Sequence, residues 1–322
     1  MTPRPLLSTL MSTLSTGAAR AAGLRPHDMR GRLVGPMLLG LSAVAGLLLT
    51  YAFFVQTRVG QVVDGDKAAT QELLSVRTQS RMAHMLDVIS PWTLVLALAI
   101  LVLAALLQRR TRTALAAIVL VGGANLTTQV LKGWLERPAL LQAGGYIPDN
   151  TLPSGHATVA CSLAIALVLV CPPRFRREAA LAGLAMSLVV GVAVILSGWH
   201  HPSDSVAAAL AATAWGALAL LIARREAPAW GWDGRGGRTT RESPLARGLV
   251  AAGAVLLGLA AVALAVFAAD PITAGAAVDP TTGELPSNVT ALAGGLLLAT
   301  GTILLSTGAF LANAGFLDRP NA

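Results

Sequence analysis

The amino-acid sequence predicts an all-α, polytopic integral membrane protein. Of its 322 residues, 54% are hydrophobic and only 12% are charged, whereas a soluble domain carries about 25% charged residues. The mean hydropathy is +0.65. A helix needs about 20 apolar residues to cross a bilayer, and eight stretches without charge or histidine indicate eight transmembrane helices. These stretches are 33–57, 88–108, 113–131, 157–173, 179–199, 205–223, 248–269 and 285–317.

The eight stretches and the polar segments between them divide the chain into four parts. Residues 1–32 form a basic tail, 33–223 hold the first six expected spans, 224–247 form an arginine-rich linker, and 248–322 hold the last two spans and a tail. Every motif discussed below falls in the six-span part. We therefore expect a six-helix functional core with an appended C-terminal pair of transmembrane helices.

The net charge of +8 indicates membrane topology rather than a nucleic-acid-binding surface. If the N-terminus lies in the cytoplasm, the inner segments hold 18 of the 24 lysine and arginine residues and the outer segments hold six. Such a bias is typical of multi-pass proteins. We expect a plasma-membrane protein surrounded by lipids, with its motifs facing the extracytoplasmic side and no nucleic-acid partner.

The outer segment between the first two spans, residues 58–90, has apolar side chains at partly helical spacing. An amphipathic helix on the membrane interface fits this spacing, and a surface loop with some helix fits it equally. The apolar positions are Leu73, Leu74, Met82, Met85, Leu86 and Ile89.

The two cysteines, Cys161 and Cys171, both fall in or at the end of the fourth span. Ten residues of helix separate them by about 15 Å, which is too far for a disulfide within one helix. We interpret them as packing residues. Neither their spacing nor any other pattern resembles a metal-ligand set, so the sequence predicts no metal site and no cofactor.

Scarce polar residues gather where spans begin and end. The chain has five histidines and two lysines, and three of these seven residues, Lys132, His156 and His200, lie at span ends beside Arg137 and Asp204. An imidazole can exchange a proton near pH 7 or attack phosphorus, while lysine and arginine supply the positive charge that a phosphoryl group needs. The sequence therefore predicts phosphoryl chemistry at a membrane surface.

Each of the first two motifs also has a structural interpretation. In the structural interpretation, the long side chain of Lys132 extends its charged end toward the membrane interface. Lys132 begins a segment that ends with Arg137-Pro138. Ser154 and Gly155, just before His156, fit a capped helix start. In the functional interpretation, that helix start would bind an anion through its backbone N–H groups. Gly155, which has no side chain, would let the anion come close to the backbone.

The third motif is His200-His201-Pro202-Ser203-Asp204. A carboxylate four residues after His200 can accept a proton from one ring nitrogen and leave the other free as a nucleophile. His201 is three residues from Asp204 and competes for the same role. Asp204 also fits a purely electrostatic role at a helix start. The spacing leaves these alternatives open.

Taken in this order, the three segments resemble the type-2 phosphatidic acid phosphatase superfamily, membrane lipid phosphatases related to vanadium haloperoxidases. The family pattern is Lys…Arg-Pro, then Pro-Ser-Gly-His, then Ser-Arg leading to His-x-x-x-Asp, and the resemblance covers roughly residues 60–223. It implies a six-helix phosphatase-type core with His156 as general acid and His200 as nucleophile. It further implies that Asp204 orients the nucleophile and that Lys132 binds phosphate.

Two departures from the family pattern concern the phosphate-binding arginines. Six residues usually separate the lysine from Arg-Pro, but here four do, and Ala139 stands at the usual arginine position. Arg137 matches an extra arginine found in many bacterial members. In the third motif, Ala193 and Val194 stand where the Ser-Arg pair is expected, so Ser197 or His201 is left as a substitute donor.

The resemblance implies metal-independent hydrolysis of a lipid phosphate through a phosphohistidine intermediate. Lys132, Arg137, Ser154 and Gly155 would hold the phosphate. Phosphatidate, phosphatidylglycerophosphate and polyprenyl (di)phosphates all fit, and the sequence determines neither the substrate nor the oligomeric state. The alternative is a catalytically inert lipid-phosphate-binding or scaffold protein. A transporter fits less well, because no charged residue lies inside any expected span.

Overall fold

The computed structural model describes residues 26–65, 74–140, 150–172, 175–223, 244–269 and 289–314. These residues form ten α-helices, and a π-helical turn, Tyr51–Val55, extends the first. The helices are α1 Pro26–Thr50, α2 Arg58–Asp64, α3 Val76–Leu86, α4 Pro91–Leu107, α5 Thr111–Trp134, α6 Gly155–Val170, α7 Arg176–Leu196, α8 Pro202–Ala223, α9 Pro244–Ala269 and α10 Val289–Ala314.

Each of the eight uncharged stretches coincides with one long helix. Six helices (α1 with its π turn, α5, α7, α8, α9 and α10) are long and apolar enough to cross a membrane. The pair α3–α4, bent by 47°, counts as a seventh span if its two helices act together. Helix α6 has 16 residues, which corresponds to about 24 Å. The all-helical, multi-pass prediction is confirmed, with six or seven candidate spans rather than eight.

Several helices extend beyond the uncharged stretches at their starts, and α1 and α9 extend furthest. Helix α1 begins at Pro26 rather than at residue 33, and α9 begins at Pro244 rather than at residue 248. The expected boundaries were set at charged residues, because charge ends the apolar part of a span. Charge does not end a helix, since arginine is a good helix former.

Helix α8 is the centre of the bundle. It packs against α1, α5, α6 and α10, and it is the most buried of the candidate spans. Small side chains such as Ala208 and Ala212 let neighbouring backbones approach closely. Cys161 of α6 lies in the same core, and neither Cys161 nor Cys171 forms a disulfide.

The C-terminal pair α9–α10 is packed into this bundle. The two helices meet where a side chain on Gly253 or Gly301 would collide with the partner's backbone, the small-residue contact typical of membrane helices. Helix α10 also packs against α7 and α8, and it contributes Phe310 to the core. Near the start of α10, Gly295 lies directly against Pro202. The pair therefore supports the start of α8.

The segment after α1 forms two short helices. Helix α3 packs its apolar face on α7, where Leu86 is buried against Val194 and Ile195. The opposite face, including Met85, is exposed. The structure thus favours the helical alternative for residues 76–86. The buried apolar side chains of this helix contact α7. Leu73 lies outside the described residues.

The two ends of the bundle differ in polarity. Helix α6 begins beside His156, and its C-terminal carbonyls, those of Leu169 and Val170, accept hydrogen bonds of 3.0 and 3.1 Å from Arg110. The end of the bundle where α6 and α8 begin and α5 ends is called the site end below. The opposite end, with Arg110 and Arg176, is called the arginine end.

Candidate active site

The third motif forms the turn between α7 and α8. Gly198 adopts a φ of 71°, which glycine tolerates because it has no Cβ. Nδ1 of His200 then lies 2.8 Å from Oδ2 of Asp204. Because a carboxylate only accepts hydrogen bonds, Nδ1 carries the proton. Nε2 of His200 therefore keeps its lone pair, as a nucleophile requires.

Asp204 is completely buried and is held by further hydrogen bonds. The Thr151 hydroxyl donates to its Oδ2 at 2.7 Å, and the backbone N–H of His201 donates to the same oxygen at 3.0 Å. The Ser154 N–H donates to the Asp204 carbonyl at 3.0 Å, which ties the second motif to the third. Thr151 was missed in the sequence, since no pattern relates it to a residue 53 positions later.

The ring of His201 points away from Asp204. Its Nδ1 donates to the carbonyl of Gly65 at 3.0 Å and lies 3.9 Å from Oδ2 of Asp64. Gly65 ends α2 with a φ of 76°, again a conformation that favours glycine. Of the two histidines that the sequence left open, His200 is the one whose ring contacts Asp204.

His156 is the second residue of α6. Ser154 caps this helix, its hydroxyl oxygen accepting a 3.4 Å hydrogen bond from the backbone N–H three residues later. The His156 ring is partly buried and packs against Trp199, with ring centroids 5.6 Å apart. It also interacts electrostatically with His200 and Lys132. Residues of all three motifs thus meet around His156.

Gly155 opens α6 at the same place. A Cβ at this residue would meet no atom within 4 Å among the described residues, so there is open space beside the first backbone N–H groups of the helix. Those groups have no partner within the helix, and they carry the positive end of its dipole. The start of α6 can therefore receive an anion.

Arg137 lies just beyond the end of α5 and is only 5% exposed. Its Nη2 is 3.7 Å from Oδ2 of Asp64, a charge contact too long for a hydrogen bond. Its Nη1 is buried without a hydrogen-bond partner among the described residues. A buried donor that lacks a partner is costly, so this nitrogen suits an incoming anion. Lys132, in the last turn of α5, is partly buried.

The residues at the positions of the expected Ser-Arg pair are apolar, and they also lie in apolar surroundings. Ala193 and Val194 are buried in a cluster that includes Leu86. The carbonyl of Val194 accepts hydrogen bonds from the His200 N–H and the Ser197 hydroxyl, each 3.1 Å long. The single hydroxyl proton of Ser197 is therefore already used, which argues against Ser197 as the substitute phosphate donor.

Asp64, the last residue of α2, is a site residue that the sequence analysis missed. Its side chain is fully buried. Ser203 donates to it twice, from the backbone N–H to Oδ1 at 3.0 Å and from the hydroxyl to Oδ2 at 2.7 Å. Burial raises the pKa of the Asp64 carboxyl to about 7, although the nearby Arg137 guanidinium lowers it. No local pattern distinguishes Asp64 from other acidic residues of its segment.

The charges around the site come from side chains of the protein. Within the described residues, no three His, Cys, Asp or Glu side chains are grouped so that they could hold a metal ion. Among the described residues of the three motifs, the cationic side chains at the site are those of Lys132 and Arg137, which point to anion binding.

Comparison with known proteins shows that the part of the chain that carries this site is similar to a known family. The model of the PAP2 superfamily matches residues 113–228. A similar solved structure is described as that of the first transmembrane PAP2 type phosphatidylglycerolphosphate phosphatase, from Bacillus subtilis. It is 18% identical, with a TM-score of 0.44, and the match covers 60% of this chain and 97% of that chain. No curated protein matches. The matched residues carry all seven site residues predicted from the sequence, so the similarity to the PAP2 superfamily includes the candidate site.

Proposed function

We propose that this protein is a lipid phosphatase, a phosphoric monoester or diphosphate hydrolase acting through a phosphohistidine. The observation that carries the proposal is the 2.8 Å contact between Nδ1 of His200 and Oδ2 of Asp204. That contact holds the imidazole in the tautomer whose Nε2 can attack phosphorus. The similarity of residues 113–228 to the PAP2 superfamily supports the same chemistry.

In the first step, the lone pair on Nε2 of His200 forms a bond to phosphorus as the bond from phosphorus to the lipid oxygen breaks. His156, protonated, gives its proton to that leaving oxygen. In the second step, water attacks the phosphohistidine, His156 takes a proton from the water, and the P–N bond breaks. Inorganic phosphate is released, and both histidines return to their starting states.

Four groups suit the equatorial phosphate oxygens. Lys132 and Arg137 supply positive charge, and Nη1 of Arg137 has no competing hydrogen bond among the described residues. The Ser154 hydroxyl and the backbone at Gly155 supply donors at the start of α6. Because charge on these oxygens grows in the transition state, donors held in place beforehand lower the barrier.

A catalytically inert lipid-phosphate-binding protein is the second candidate function. The observation that favours it is the apolar pair Ala193 and Val194, buried where the family places Ser-Arg. Such a protein would bind the same phosphates through Lys132 and Arg137 without releasing phosphate.

The substrate class follows from the position of the site at the end of a membrane bundle. Lipid phosphates such as phosphatidate, phosphatidylglycerophosphate and polyprenyl (di)phosphates present their phosphate at the membrane–water boundary. The site end and the arginine end lie at opposite ends of α6. With the positive-inside bias, this separation supports a plasma-membrane protein whose site faces the extracytoplasmic side.

The decisive experiment measures phosphate release by the purified protein from a panel of these lipid phosphates. Rapid quenching should also trap a phosphoenzyme that is labile in acid and stable in base, as a phosphohistidine is. The His200→Ala variant, which cannot form it, is the control. Tight lipid-phosphate binding without release or phosphoenzyme would instead support the inert protein.

Sidedness is tested in intact cells with a membrane-impermeant thiol reagent. In a Cys161→Ala, Cys171→Ala background, Asp87→Cys at the site end and Arg177→Cys at the arginine end introduce single cysteines at exposed positions. Labelling of Asp87→Cys alone is expected. Labelling of Arg177→Cys alone would place the site on the cytoplasmic side.

A further inference from the structure

Asp64 is a buried acidic residue in the described part of the chain to which the proposed mechanism assigns no role. Transferring an ionised carboxylate out of water is costly unless it is paired and hydrogen-bonded. Asp64 has such partners, and they belong to two different motifs. Arg137 follows α5, and Ser203 lies between His200 and Asp204 at the start of α8.

The helix that carries Asp64 is itself fixed to the first motif. Thr57 caps α2 by accepting from the N–H of Gly60. Gln61, one turn before Asp64, donates its side-chain N–H groups to the carbonyls of Val55 and Pro138, each at 2.8 Å. Pro138 directly follows Arg137, so α2 is bound to the backbone next to the arginine and to its guanidinium.

The same carboxylate restrains the nucleophile segment. Two hydrogen bonds from Ser203 hold the first turn of α8 against Asp64. His201 donates to the carbonyl of Gly65, immediately after Asp64. Two of the residues between His200 and Asp204, namely His201 and Ser203, are thus attached to the end of α2.

We propose that Asp64 is a positioning residue that holds Arg137 and the His200 turn in a fixed relation at the phosphate site. Above its pKa of about 7, it presents a negative charge to Nη2 of Arg137, and Nη1 is left for the phosphate. It also supplies the counter-charge that allows an arginine to stay buried before phosphate arrives. This inference rests on the proposed function and extends it to a residue outside the three motifs.

The test is a double-mutant cycle of Asp64→Asn with Arg137→Lys. Asp64→Asn keeps the shape of the side chain and removes its charge. We expect kcat/KM to fall roughly ten- to a hundredfold, as for loss of a hydrogen bond to a charged group. If Asp64 acts through Arg137, the Arg137→Lys substitution should cost much less in the Asp64→Asn background than in the wild type. Costs that simply multiply would overturn the proposal.

Glu136→Gln is the matched control. It removes one negative charge beside Arg137 in sequence, but from an exposed side chain, so its effect on kcat/KM should stay within about twofold. An equal fall in Glu136→Gln and Asp64→Asn would show a general charge effect and sink the positioning role. The melting temperature of each variant in detergent reports folding.

If Asp64→Asn does not fold, Ser203→Ala tests the same link from the other side. It removes the 2.7 Å hydrogen bond and keeps the backbone one. A severalfold loss of kcat/KM that is non-additive with Arg137→Lys supports the proposal, and an additive loss contradicts it.

Failure of the proposed function can be told apart from failure of this inference. If the wild type releases no phosphate from any lipid, the proposed hydrolase activity is wrong. In that case the double-mutant cycle uses another measurement, the rise in melting temperature that inorganic phosphate produces in each variant. Asp64→Asn and Arg137→Lys should each weaken this rise, and the double variant should weaken it no further. Independent effects would reject the positioning role even then.

Discussion

The histidine half of the site, with His200 and Asp204, and the phosphate half, with Arg137, differ in how their functional nitrogen atoms are held. In the histidine half, Oδ2 of Asp204 accepts from His200, Thr151 and the His201 backbone, while Oδ1 has no hydrogen-bond partner among the described residues. In the phosphate half, Nη2 of Arg137 faces Asp64, and Nη1 is buried without a hydrogen bond among the described residues. The His200 ring is thus held in place without a ligand, whereas one nitrogen of the guanidinium is not.

Under the proposed function, this difference separates the part of the site that would perform the chemistry from the part that would recognise phosphate. A nucleophile must already have the correct tautomer and direction when substrate arrives. A cation that binds phosphate must keep donors unused until then. Mutations in the two halves should therefore differ both in size and in the kinetic constant that they change.

The largest effect is expected from His200→Ala. Removing the nucleophile should lower kcat by at least about 10⁴-fold, the upper end of what a positioned proton-transfer group contributes. The measurement is phosphate release by protein with an unchanged melting temperature. His201→Ala is the matched control and should retain most activity, because its ring does not contact Asp204. The reverse pattern would assign the nucleophile to His201.

The next largest effect is expected from His156→Ala. Loss of proton transfer to the leaving oxygen should lower kcat by about 10²–10⁴-fold. The loss should shrink for an activated substrate such as p-nitrophenyl phosphate, whose leaving group needs no proton. Equal losses for lipid and activated substrates would contradict the role of His156 as general acid.

Arg137→Lys tests the phosphate half. Lysine keeps the charge but loses the planar guanidinium that can bind two oxygens at once. The transition-state stabilisation measured by kcat/KM should therefore fall by about 1–3 kcal/mol, the range for hydrogen bonds to charged groups. Competitive inhibition by inorganic phosphate should weaken as well. A variant with wild-type kinetics would mean that Arg137 only anchors the end of α5.

A smaller effect is expected from Thr151→Val. It removes one of the hydrogen bonds to Oδ2 of Asp204 while the one from His200 remains. We expect kcat to fall by about 2- to 10-fold with phosphate inhibition unchanged, since Thr151 belongs to the histidine half. A change confined to phosphate inhibition would refute this assignment.

The smallest effect is expected from a strong chelator. Lys132 and Arg137 provide the positive charge for the phosphate, so turnover should be the same with and without EDTA. Loss of turnover that magnesium restores would refute the metal-independent mechanism. It would also show that the phosphate half is completed by an ion.

Much of the fold and part of the site were predictable because their signals are local. A run of uncharged residues predicts a helix in a membrane, and each of the eight runs coincides with one. The spacing of His200 and Asp204, four residues apart, indicated that the two side chains could contact each other, and they do so with His200 in the turn before α8. Helices α1 and α9 begin before residues 33 and 248, because charge marks the end of a span and not of a helix.

What could not be predicted depends on contacts between distant segments. The hydrogen-bonded residues Asp64 and Ser203 are 139 residues apart in the sequence. Thr151 and Asp204, also hydrogen-bonded, are 53 residues apart. The choice between His200 and His201 also needed the structure. Both histidines are close enough to Asp204 along the chain to contact it, but the ring of His201 donates its hydrogen bond to the carbonyl of Gly65 instead.

The sequence by itself therefore determined the class of fold and indicated the three motifs as the candidate site, although it missed Asp64 and Thr151. Hydrophobicity and one-turn spacing act over neighbouring residues and need no tertiary contact to be recognised. Only the tertiary structure decided which histidine pairs with Asp204, that Arg137 faces Asp64, and that the C-terminal pair supports α8 through Gly295 and Pro202. Each of these depends on how packed helices bring distant backbones together, which the order of residues along the chain does not display.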